Sequence, residues 1–133
     1  MTRKEEREQA FIVIFEKSIN DAPISEILSD AREQLEWEES SYVDSTAAGV
    51  YEHLEDIDEK ISAKLKKGWT LARISKVSLA LLRLAVYEMK YNDDIPESVA
   101  INEAVELCKT YSGETDASFL NGILGSLSKD VEE

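Results

Sequence analysis

Few side chains in this 133-residue chain have the type and spacing that chemistry requires. His53 is the sole histidine and Cys108 the sole cysteine. Two such residues cannot supply the ligands of a usual zinc site. A nucleophile pair of Cys108 and His53 is conceivable on residue type alone. However, Cys108 falls on the apolar helical face of Ala100, Ala104 and Leu107, where a buried, inert thiol is expected. His53 adjoins Leu54 and Val50 and reads as the edge of an amphipathic helix. Carboxylates are so frequent, 28 in all, that no pair of them is diagnostic. No glycine-rich phosphate loop occurs. No catalytic residue, metal or cofactor is expected, and the chain is not read as an enzyme.

Binding residues are easier to find. Arg3, Lys4 and Arg7 lie in the first turns of the first helical segment, where cations oppose the helix dipole. That misplacement hints at service to a ligand. Phe119 follows Asp116-Ala117-Ser118 at the start of another helix. Such a ring belongs either to the core or to an exposed platform, on which a stacked base gains roughly 1–3 kcal/mol. With the amino-terminal cations nearby it would form an RNA track. Arg83 sits amid Leu81, Leu82, Leu84, Ala85 and Val86. A buried guanidinium needs a carboxylate, and Glu103 is the expected partner in a structural ion pair, with Asn102 bonding in the same seam.

The elements that carry these residues are all helical. Only two prolines and five glycines interrupt the chain, and no alternating runs suggest strands. Trp69–Tyr91 bears two apolar stripes, one through Val77, Leu81, Leu84 and Ala85, the other through Leu79, Leu82, Val86 and Met89. A helix apolar on both sides is buried on both sides, so this segment predicts a central helix wrapped by the others. Arg73, Lys76, Arg83 and Glu88 interrupt it too often for a membrane span. Helices are further expected over 3–18, 23–36 (opened by Pro23) and 41–67. The last of these should break near Asp56–Asp58, with a cap at Ser40 or Ser41 and Gly68 at its end. A helix opened by Pro96 should end at Gly113, and Thr115 or Asp116 should cap a final one. Its stripe runs through Phe119, Leu120, Ile123, Leu124, Leu127 and Val131. Gly122 and Gly125 cost that helix about 1 kcal/mol each relative to alanine, which close packing against another helix would offset. The lysines at 60, 64, 66 and 67 suit a helix end and read as structural.

The net charge is −13, from 15 basic and 28 acidic side chains. Such a field opposes loose binding of nucleic acid, although not a local basic patch. The amino-terminal stretch M-T-R-K-E-E-R-E-Q-A has no apolar leader. A lone cysteine fits a reducing compartment, so a cytoplasmic location is expected.

Three motifs occur in order: W-T-L-A-R-I-S-K-V-S-L-A-L-L-R-L-A-V-Y-E-M, then I-P-E-S-V-A-I-N-E-A-V-E-L-C-K-T-Y, then F-L-N-G-I-L-G-S-L. Over residues 69–127 the chain resembles the NusB family of bacterial transcription antitermination factors. The resemblance implies an all-α fold of about seven helices in two packed three-helix bundles, near 3–67 and 69–131, around the central buried helix. It implies binding of single-stranded boxA RNA from ribosomal leader transcripts, together with the ribosomal protein NusE and the RNA polymerase antitermination complex. RNA contacts would fall on Arg3, Lys4, Arg7, Ser118 and Phe119, and NusE contacts on Phe15 and Ser78. Glu5, Glu6 and Glu8 depart from the arginine-rich start that is frequent in the family, and Ser118 stands where some relatives carry a lysine. The alternative reading is an acidic helical interaction module, monomer or homodimer, with little RNA binding alone.

Overall fold

A computed structural model of the protein describes residues 1–132, with side-chain surroundings for 1–128, so Val131 lies outside the described side chains. Seven α-helices and no strands occur among the described residues. They are α1 (Arg3–Ile19), α2 (Ile24–Leu35), α3 (Ser41–Glu52), α4 (Leu54–Ser62), α5 (Lys76–Tyr91), α6 (Glu97–Tyr111) and α7 (Glu114–Glu132). Helices α1, α2 and α3 pack on one another, and α5, α6 and α7 do the same. The two groups meet along α5, which touches α1, α3, α4, α6 and α7. Ten residues of α5 are buried, Leu81, Leu82, Leu84, Ala85 and Val86 completely. The doubly striped segment is therefore the spine of the molecule.

Local chemistry sets the boundaries. Thr2 and Glu5 form a reciprocal capping box on α1, and the carboxylates of Glu5 and Glu6 offset the cations in its first turn. Ser40 caps α3 by accepting from the Val43 N–H at 3.1 Å. Pro23 stands at the cap of α2 rather than within its first turn. The α3–α4 break comes at His53, three residues before the expected acidic cluster. Helix α4 stops at Ser62, so Gly68 caps no helix; its φ of +92° serves the connector that follows. That connector, which includes a 3₁₀ turn at Leu71–Arg73, occupies residues expected to be helical. Helix α5 starts only after Ser75, whose hydroxyl accepts from the Ser78 N–H at 3.1 Å. Gly113 closes α6 as expected, with φ of +128° and its N–H donated to the Cys108 carbonyl at 2.9 Å.

The ion pairs correct two expectations. Arg83 does not meet Glu103; it grips Asp58 of α4 through Nε at 2.8 Å and a terminal nitrogen at 2.9 Å. Glu103 instead accepts from Arg7 at 3.3 Å. Arg7 is only 3 % exposed and not a surface cation. Its guanidinium forks onto the fully buried Glu88 of α5, at 3.0 Å from Nε and 3.1 Å from a terminal nitrogen. The Tyr42 hydroxyl donates to the same carboxylate at 2.7 Å. The reason is rotational. Residues 83 and 88 lie about 140° apart around a helix, so Arg83 looks toward α4 while Glu88 looks toward α1 and α3.

The tyrosines report on these contacts. A hydrogen bond to Asp56 pushes Tyr91 up to about 12, and one to Glu8 does the same for Tyr111. Burial, reinforced by Glu88, raises Tyr42, and burial also raises Tyr51 and Tyr87. All five tyrosines thus hold their protons more tightly than unfolded tyrosine, which ionises near 10. The folded state then loses stability as pH climbs from about 10 through about 12, because the unfolded chain releases these protons first. A titration followed at 295 nm should show little tyrosinate in the folded protein at pH 10. Half-ionisation there would contradict these contacts.

Candidate nucleic-acid interface

The connector between α4 and α5 builds the most distinctive surface. The Trp69 N–H returns to the Lys66 carbonyl at 3.0 Å and Arg73 N–H to Thr70 at 3.0 Å, giving two tight turns. Arg73 holds them together: its guanidinium donates to the Gly68 carbonyl at 2.9 Å and lies 5.4 Å from the Trp69 ring centroid. The indole is thus fixed by a cation–π contact while 47 % of the residue stays exposed. Across from it, the half-buried Phe119 ring rises from the first turns of α7, 6.1 Å away and tilted by 39°. Between connector and helix opens a groove of about 450 Å³, lined by Lys64, Lys66, Trp69, Ser118, Phe119 and Gly122.

Two shallower grooves extend it. Ser118 also borders a depression of about 330 Å³ between α6 and α7, with Asn102, Glu106, Lys109 and Asn121. Glu106 in turn borders one of about 250 Å³ against the start of α1, with Lys4, Glu8 and Thr110. Adjoining grooves therefore connect Lys4 to Ser118, Phe119 and Trp69. The other amino-terminal cations are elsewhere. Arg3 lies 4.1 Å over the Tyr42 ring on the α3 side and pairs with Glu6, and Arg7 is sealed inside.

Cations and carboxylates divide this track. Glu5, Glu8 and Glu106 crowd its Lys4 end, where they repel phosphate. The Trp69 end carries Lys64, Lys66 and Arg73. Sequence reasoning read Lys66 as structural and gave Trp69 and Arg73 no binding role, yet a signal was present. From Lys60 to Tyr87 no acidic residue occurs, and seven of the 15 basic ones do. On an acidic chain such a gap is a local positive patch.

The remaining candidates lie apart. Cys108 is fully buried, its thiol pushed up by burial, beside the Ser78 hydroxyl. His53 stacks on Tyr91 at 4.0 Å on the α3–α4 corner. No group of three metal-ligating side chains occurs among the described residues. Ser78, expected on a partner surface, is 2 % exposed, because the capped first turn of α5 faces α6 there. Phe15 is half-buried, 6.5 Å from Phe11, and borders a groove of about 340 Å³ between α1 and α2. No helix among the described residues is long and apolar enough to cross a membrane.

Fold and groove together define an all-helical protein presenting paired aromatic rings among cations, the chemistry on which unstacked bases rest. The profile described as the NusB family matches residues 4–129, and the chain belongs to that family. It is similar to the transcription antitermination protein NusB of Acetivibrio thermocellus, 48 % identical over 131 residues that cover 97 % of this chain and 90 % of that protein. Among solved structures it resembles T. maritima NusB (34 % identity, TM-score 0.85, covering 97 % and 92 % of the two chains). A chain in the crystal structure of antitermination factors NusB and NusE in complex with dsRNA shares the fold (TM-score 0.88, 24 % identity, 96 % of each chain).

Proposed function

We propose that this protein is a transcription antitermination factor that binds the boxA segment of ribosomal leader transcripts, and that it does so with NusE, in the cytoplasm and without a catalytic step. The observation that carries the reading is the meeting of Trp69, Phe119, Lys66 and Arg73 around one groove on an otherwise acidic body. Bases stack on the rings while the flanking cations receive phosphates. Lys4 and Ser118 extend the contact along the adjoining grooves; Arg3 and Arg7 have no part in it. Helix α1 near Phe15 remains the proposed edge of the NusE surface; Ser78, buried and facing α6, does not reach it.

Few cations imply few phosphate contacts. The logarithm of affinity should fall with the logarithm of salt by about 0.7 for each phosphate bound to a single strand, a slope of about 2 to 3 in all. Titration of boxA RNA with and without NusE, beside a scrambled RNA, tests the reading. Saturable binding that favours boxA and strengthens with NusE is expected. Equal and negligible binding in both arms would remove it and leave the acidic interaction module.

A further inference from the structure

Gly122 departs from the sequence-based account of the glycines. An alanine methyl at Gly122 or Gly125 would meet nothing within 4 Å, so neither glycine makes room for a neighbouring helix. Both sit inside α7, where glycine weakens a helix. Gly125 borders none of the grooves described above. Gly122 does: with Ser118, Phe119, Ile123 and Ser126 it forms the α7 wall of the aromatic groove, one turn beyond Phe119. The Trp69 and Phe119 rings already touch in the tilted arrangement aromatic pairs adopt, so no base slides between them. Space remains beside that pair, over the bare backbone of Gly122, with Lys66 at the rim.

We infer that Gly122 is a binding position: its missing side chain admits one unstacked RNA base, which lies against the Phe119 ring and over the α7 backbone. The inference rests on the RNA-binding reading and adds the place and stoichiometry of the inserted base. The lysines supply what the adjoining phosphates need, and the protein forgoes helix stability at this point to keep the opening.

Two glycines in one helix give the test its control. Gly122→Ala, Gly122→Leu and Gly125→Ala should each leave the fold intact and raise Tm, alanine by about 3–5 °C. Gly125→Ala should bind boxA RNA as the unaltered chain does. Gly122→Leu should lose about tenfold or more in affinity, the range of a forfeited stacked base, and Gly122→Ala should lose less. A boxA RNA carrying one abasic nucleotide, moved position by position, should reveal a single position at which the unaltered chain and Gly122→Leu bind equally. Normal binding by Gly122→Leu, while Phe119→Ala binds poorly, overturns the inference and leaves the RNA reading standing. A lowered Tm for Gly122→Ala overturns it as well, since the space would not be open. Failure of the unaltered chain to bind RNA overturns both.

Discussion

Replacing Arg7 with alanine should cost about 3–5 kcal/mol of folding free energy, the range for breaking a buried ion pair by removing one partner. Glu88 has no exposed surface, and its carboxylate accepts from Arg7 and from the Tyr42 hydroxyl. Without the guanidinium, the Glu88 carboxylate keeps only the Tyr42 phenol as a protein hydrogen-bond partner. Glu103 suffers less, because its side chain is 27 % exposed. Burial alone would lower the Arg7 pKa, but the hydrogen bond and charge of Glu88 outweigh it and the balance is upward, so the guanidinium keeps its proton. The double replacement Arg7→Met with Glu88→Leu should recover most of the loss, because apolar residues of similar volume satisfy such a site. Urea unfolding of the three variants measures this. A cost below about 1 kcal/mol for Arg7→Ala would mean that the pair is open to solvent.

The second large effect concerns binding. Trp69→Ala and Phe119→Ala should each weaken boxA RNA binding by about 5- to 150-fold, equivalent to about 1–3 kcal/mol per stacked base. The two losses should combine to less than their sum, because the rings touch and loss of either frees the other. Stability should change less at Trp69, which stands 47 % exposed on a connector. Arg73→Ala should mimic a mild Trp69 defect, since its guanidinium holds the indole. Arg3→Ala, on the far side over Tyr42, should leave RNA affinity close to unchanged. Anisotropy titrations at one fixed salt concentration provide the comparison.

The core was legible because periodicity reports burial directly. The two stripes of residues 76–89 placed α5 at the centre, and the one-sided stripes placed its neighbours around it. Arg7 could have been read the same way. It precedes Ala10, Phe11 and Ile14 by three, four and seven residues, which puts it on the inward stripe. Its charge type drew it toward the surface instead. The partner of Arg83 was not legible: Asp58 and Glu103 are both carboxylates at helical positions, and only the packing of α4 and α6 around α5 decides between them. The site was half legible. Phe119 and the family motifs pointed to it, but the apolar spacing through Trp69, Leu71 and Ile74 continues that of α5 and conceals the connector. The Ser75 cap and the positive φ of Gly68 separate the two. The glycines of α7 show the same limit, since sequence cannot distinguish a glycine that admits a helix from one that faces open space.

The most direct measurement uses the two tryptophans of the chain. In a Trp37→Phe protein, Trp69 is the only indole, and its emission should be quenched saturably as boxA RNA is added, along the same curve as anisotropy of the labelled RNA. RNA that binds by anisotropy while Trp69 emission stays constant would place the nucleotides elsewhere and contradict the account.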